Sequence, residues 1–85
     1  MSIHSHNFVE DYQGLVGFGL DRETDENTIM YYLQKISDDA CLQALAKRMT
    51  DQELEEIFSH LTLLLKRHLS EAEYHHLFLK DAHGS

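Results

Sequence analysis

The chain has 85 residues, a net charge of −8 with histidine neutral, a single cysteine and no proline or tryptophan. That length allows one small domain, and one cysteine excludes an internal disulfide framework. The acidic balance opposes contact with nucleic acid and with anionic membranes. Hydrophobic residues make up 42% of the chain, enough to build a core and above the range of disordered sequences. No run has the features of a signal peptide or approaches membrane-spanning length, so a cytoplasmic protein is expected.

The predicted fold class is all-α: a compact small helical domain of four to five short helices with tight connections, spanning residues 1–85 as a single domain. Residues 1–7, with His4 and His6, show no periodicity and read as a frayed terminus. Residues 8–24 are expected to be irregular or a short helix. Asn7 and Glu10 have the spacing of a helix cap, with Phe8, Tyr12, Leu15 and Val16 on one face. Gly14, Gly17 and Gly19 in "GLVGFGL" favour the other reading, a loop laying Leu15, Phe18 and Leu20 onto the rest.

Four clearer helices follow. Residues 25–36 carry Ile29, Tyr32, Leu33 and Ile36 at helical spacing. Ser37 is placed as the N-cap of the next, residues 38–49, with Leu42, Leu45, Ala46 and Met49 on its apolar face. Thr50 and Glu53 form a capping box opening residues 51–68. The stripe of this helix is Leu54, Ile57, Phe58, Leu61, Leu64 and Leu65, continued by Leu69. Ser70 and Glu73 form a second box, opening residues 71–81 with Tyr74, Leu77 and Phe78 facing inward.

The charges support the same division. Acids gather in the expected first turns and bases in the last ones: Lys35, Lys47, Arg48, Lys66, Arg67 and Lys80. The helix macrodipole favours that sorting by a few tenths to about 1 kcal/mol per charge. It also scatters the bases instead of gathering them into a phosphate-binding stripe. Protonating all seven histidines would cancel nearly all of the net negative charge, so self-repulsion should fall toward pH 6.

"KRHLSEAEYHH", residues 66–76, holds three histidines and two glutamates. As a helix junction it uses every charge: Lys66 and Arg67 close one helix, and Ser70, Glu71 and Glu73 open the next. Glu73 and His76 have the E-x-x-H spacing of di-iron bundles, but such sites need a second motif that the chain lacks. No metal or other cofactor is therefore expected. The alternative is a histidine and carboxylate metal-binding protein using His60, His68 and His75. His68 falls within the apolar stripe at a helix C-terminus, which makes it the candidate for a pH-sensitive residue.

Cys41 reads as a small hydrophobe at the edge of an apolar face; nothing nearby in sequence supplies the base and oxyanion donor of a nucleophilic site. "DRETDEN", residues 21–27, alternates acids like a calcium loop. It lacks the glycine at its sixth position and the glutamate at its twelfth, where Glu26 and Tyr32 stand. "GLVGFG" follows no strand and does not match a dinucleotide fingerprint. The sequence thus points away from an enzyme.

The run "YYLQKISDDACLQALAKRMTDQELEEIF", residues 31–58, resembles in pattern the small Hha/YmoA nucleoid-associated regulators. The resemblance covers a third of the chain and needs a gap. It implies, as a further alternative, a nucleoid- or transcription-associated regulator. The chain departs from that pattern next, reading "SHLTLLLKRHL" where an aspartate–histidine–arginine run would stand. A reading helix at residues 71–81 would also begin with glutamates where phosphates lie.

Several large apolar residues face away from the stripes of their own helices: Leu63, Leu79, Met30 and Tyr31. Such a surplus suggests a contact surface. The leading expectation is a small acidic protein–protein interaction or regulatory module, homodimeric, without catalytic activity. Its apolar contacts are assigned to Tyr31, Leu63 and Leu79. Its acidic contacts are assigned to Asp21, Glu23, Asp25 and Glu26, with Glu55 and Glu56. The expected partners are a second copy and a basic protein, with no nucleic acid and no membrane.

Overall fold

A computed structural model of the chain describes residues 6–81. These are all-α, with no strand among them. The helices are α1 (Asn7–Asp11), α2 (Arg22–Ile36), α3 (Asp39–Arg48), α4 (Asp51–His68) and α5 (Glu71–Glu73). The last runs straight on into a π-helical segment, Tyr74–Leu79. Only two residues join α2 to α3, α3 to α4, and α4 to α5. The chain divides into two compact units, residues 1–48 and 49–85.

In the first unit the N-terminal segment differs from its sequence reading. Residues 1–5, with His4, lie outside the described residues. Asn7 is itself helical, and His6 holds the N-cap position without a side-chain cap bond. The expected Asn7 cap is therefore absent. The helix stops at Asp11 because Tyr12 turns extended (φ −71°, ψ 123°), so Leu15 and Val16 belong to a loop. That loop does not bury them: Leu15, Val16, Phe18 and Leu20 are all exposed.

Hydrogen bonds, ring contacts and the buried Val9 side chain hold the segment. The Val9 N–H donates to Gln34 Oε1 at 3.0 Å. The Tyr12 ring stacks on Phe8, centroids 5.1 Å apart, and tilts against Tyr31 at 5.9 Å. The Gly17 N–H donates to Thr28 Oγ1 at 3.1 Å, and that hydroxyl donates back to the Gly17 carbonyl at 2.9 Å. The Gly19 N–H donates to Asp25 Oδ1 at 2.8 Å. Residues 9, 12, 17 and 19 thus meet residues 34, 31, 28 and 25, a strap running antiparallel along α2. Gly19 takes φ +92°, a left-handed conformation open to glycine at little cost.

The strap lies on the mostly polar face of α2, which carries Thr28, Tyr31 and Gln34. Ile29, Tyr32 and Leu33, read as inward-facing from their spacing, are exposed. Val9 and Thr28, each 5% exposed, are the only buried residues among those described.

α2 also begins three residues earlier than its apolar spacing indicates. Asp21 is the N-cap: Oδ1 accepts from the Thr24 N–H at 2.8 Å and Oδ2 from the Thr24 hydroxyl at 3.1 Å. Ser37 ends α2 instead of opening α3, because its hydroxyl donates to the Leu33 carbonyl at 2.6 Å. The α3 ladder starts with the Leu42 N–H on the Asp38 carbonyl at 2.9 Å.

In the second unit both capping boxes form. The Thr50 hydroxyl accepts from the Glu53 N–H at 3.1 Å, and Glu53 Oε1 accepts from the Thr50 N–H at 2.9 Å. Ser70 and Glu73 repeat the pair at 3.1 and 2.8 Å. The final helix ends before residue 81, because Lys80 turns left-handed at φ 58°. The Asp81 N–H then reaches the His75 carbonyl at 3.0 Å, closing the wide π turn. No residue described in this unit is buried. The stripe of α4 has the expected spacing, but Leu54, Ile57, Phe58 and Leu61 are exposed, while Leu64, Leu65 and Leu69 are half-buried. Leu77 and Phe78, expected to face inward, are also exposed.

Candidate interaction surfaces

The acidic residues at the start of α2 mainly hold local structure. Asp21 caps the helix and Asp25 anchors the strap through Gly19. Glu26 pairs with Arg22 one turn back, 2.6 Å from Nε to Oε2. Glu23 is exposed in the same first turn. The Thr24 backbone N–H, aided by the Thr24 hydroxyl, stabilises the charged form and holds the Asp21 carboxyl below the usual carboxylate range. Tyr31, assigned to an outward patch, is half-buried instead. The strap covers it through Tyr12, and Lys35 Nζ lies 5.2 Å from its ring centroid. Met30 stays exposed.

On α4 the structure brings Leu63 together with Glu55, Glu56 and His60, along one open strip of the helix that starts at Asp51. Acidic groups and one apolar side chain therefore share a continuous solvent-facing surface. The other side of α4 bears the apolar stripe. Near the C-terminal end, Phe58, Leu65 and Leu69 face Tyr74 and Phe78 across an open groove. Tyr74 and Phe78 stack at 5.2 Å with planes 15° apart. Leu79 is exposed on the π-helical segment.

His60, His68 and His75 do not converge. Among the described residues no three His, Cys, Asp or Glu side chains form a group able to hold a metal ion. His68 is exposed, not partly buried as its place in the stripe suggests. His75 is half-buried, and its Nδ1 lies 2.7 Å from Asp81 Oδ2. That contact joins residues six apart, a spacing that ordinary helix periodicity does not bring together. Cys41 is exposed and not a buried hydrophobe. No helix among the described residues is long and apolar enough to cross a membrane.

The apolar stripe of α4 is present as its spacing indicates, but four of its residues, Leu54, Ile57, Phe58 and Leu61, are exposed. Periodicity marks its leucines as inward-facing but does not say what covers them. Comparison with known proteins finds no matching family model, no significantly similar curated protein and no significantly similar solved structure.

Proposed function

We propose that this chain is a non-enzymatic interaction module that acts as a homodimer and presents an acidic surface to a basic protein partner. One observation carries the reading. Eighteen large apolar side chains among the described residues are exposed, whereas one apolar side chain, that of Val9, is buried. Scattered exposed leucines are ordinary on monomers, but Leu54, Ile57, Phe58 and Leu61 form one exposed stripe on α4, and a contiguous apolar patch marks a contact surface. A second copy is the commonest partner for such a stripe, because a two-fold axis covers the same patch on both chains.

Glu55 and Glu56 share the side of α4 that carries Leu63, so a dimer formed through the apolar stripe would leave them available. Their charge suits a lysine- or arginine-rich partner, and such attraction weakens with salt.

Light scattering of the full chain at pH 7.5 over a range of concentrations tests the dimer. The expected mass is twice that of one chain. A monomer at the highest concentration would remove the reading. Binding of a labelled lysine-rich peptide tests the acidic surface. Affinity is expected to fall steeply with salt and to drop in the Glu55→Gln/Glu56→Gln variant.

A further inference from the structure

We infer that the two copies pair along α4 in antiparallel orientation, about a two-fold axis that crosses the apolar stripe at the level of Ser59. The inference rests on the dimer reading above and adds the interface and its polarity.

α4 has 18 residues, a rod about 27 Å long. Leu54 and Leu61 are seven residues apart, as are Ile57 and Leu64, and the two pairs alternate by three and four. That is the a and d spacing of a helix–helix seam. Antiparallel pairing about Ser59 sets Leu54 opposite Leu64 of the second copy and Ile57 opposite Leu61 of the second copy. The symmetry repeats both layers, so every seam residue gains an apolar partner. Phe58, 70% exposed, falls beside the axis, where it meets its own copy.

Charge chooses the polarity. Asp51 and Glu53 lie in the first turn of α4, and Arg67 and His68 lie in its last turn. Parallel pairing would set acid against acid and base against base. Antiparallel pairing sets Glu53 opposite Arg67 of the second copy at both ends of the seam. The opposed macrodipoles favour the same arrangement.

Pulsed electron spin resonance on full chains carrying one spin label each tests the geometry, with Cys41→Ala removing the native thiol. Labels go on exposed positions of α4, in Gln52→Cys, Ser59→Cys and Lys66→Cys, and light scattering gives the mass of each sample. The expected result is a dimer whose Ser59→Cys labels are closest. Labels at Gln52→Cys and at Lys66→Cys should each stand about 20 Å further apart along the axis. Equal distances at all three positions in a dimer would establish parallel pairing and overturn the inference, leaving the dimer intact. A dimer in which unequal distances are not smallest at Ser59→Cys would place the interface elsewhere, with the same consequence. Monomers in every sample, including unlabelled chain, would overturn both readings.

Discussion

Thr28 and Gly17 share two hydrogen bonds through one hydroxyl. The oxygen accepts from the Gly17 N–H at 3.1 Å and donates to the Gly17 carbonyl at 2.9 Å. This side chain is the one buried polar residue among those described. It satisfies both backbone groups of a loop residue that no regular element pairs. The strap is thus held to α2 by directional bonds, and the apolar side chains of the loop are left outward.

Replacing Thr28 by valine keeps the shape and removes both bonds. Leaving buried polar groups unpaired costs roughly 1–3 kcal/mol. Thr28→Val should lower the melting temperature and speed amide hydrogen exchange at Gly17. Unchanged exchange there would show that the strap is held by something other than this hydroxyl.

The capping residues differ in a way that mutation can read. Thr50→Ala and Ser70→Ala each remove a box that closes reciprocally, and each should cost about 1 kcal/mol. Ser37 makes only a back-bond to Leu33 on an exposed turn, so Ser37→Ala should stay within about 0.5 kcal/mol. Thermal unfolding of the three variants side by side checks the order. A large loss at Ser37 would mean that it caps α3 after all.

Both boxes were legible in the sequence because each is a four-residue pattern that closes on itself. The sorting of Lys35, Lys47, Arg48, Lys66 and Arg67 to helix ends was legible for a related reason, since the dipole acts within one turn. The strap was not. Apolar spacing assigned Ile29, Tyr32 and Leu33 to the inside, but the N-terminal segment is hydrogen-bonded along the neighbouring face through Thr28 and Gln34 and leaves these three exposed. Hydrogen bonds between residues 11 to 25 positions apart leave no periodic trace. The start of α2 was misplaced because Asp21 and Asp25 are equally plausible caps by type, and only the Thr24 contacts distinguish them. Of the candidate surface, Leu63, Glu55 and Glu56 were legible as one helix face. The cover over Tyr31 depends on Tyr12, a contact that sequence does not show.

Acid should weaken the fold through two named carboxyls. The Thr24 backbone N–H, and secondarily its hydroxyl, lower the Asp21 value. The Ser70 backbone N–H, and secondarily its hydroxyl, lower that of Glu73. A group depressed on folding contributes stability above its unfolded value, near pH 4, and loses it as pH falls through the lower folded value. The melting temperature should therefore fall from about pH 4 downward. Asp21→Asn and Glu73→Gln should each flatten that fall. A curve unchanged in both variants would assign acid sensitivity to other carboxyls.

Leu61 and Leu63 separate the two surfaces of α4. They are similarly exposed, at 44% and 48%, but lie on different faces. Leu61 belongs to the apolar stripe proposed as the dimer contact, whereas Leu63 sits on the acidic strip with Glu55, Glu56 and His60. Burying a leucine contributes about 1.5–3 kcal/mol, and a symmetric dimer buries two. Leu61→Gln should thus weaken self-association at least tenfold, visible as a shift toward monomer on dilution in light scattering. Leu63→Gln should leave the dimer mass unchanged and reduce binding of the lysine-rich peptide. The reverse pattern would move the dimer contact to the strip and the partner surface to the seam.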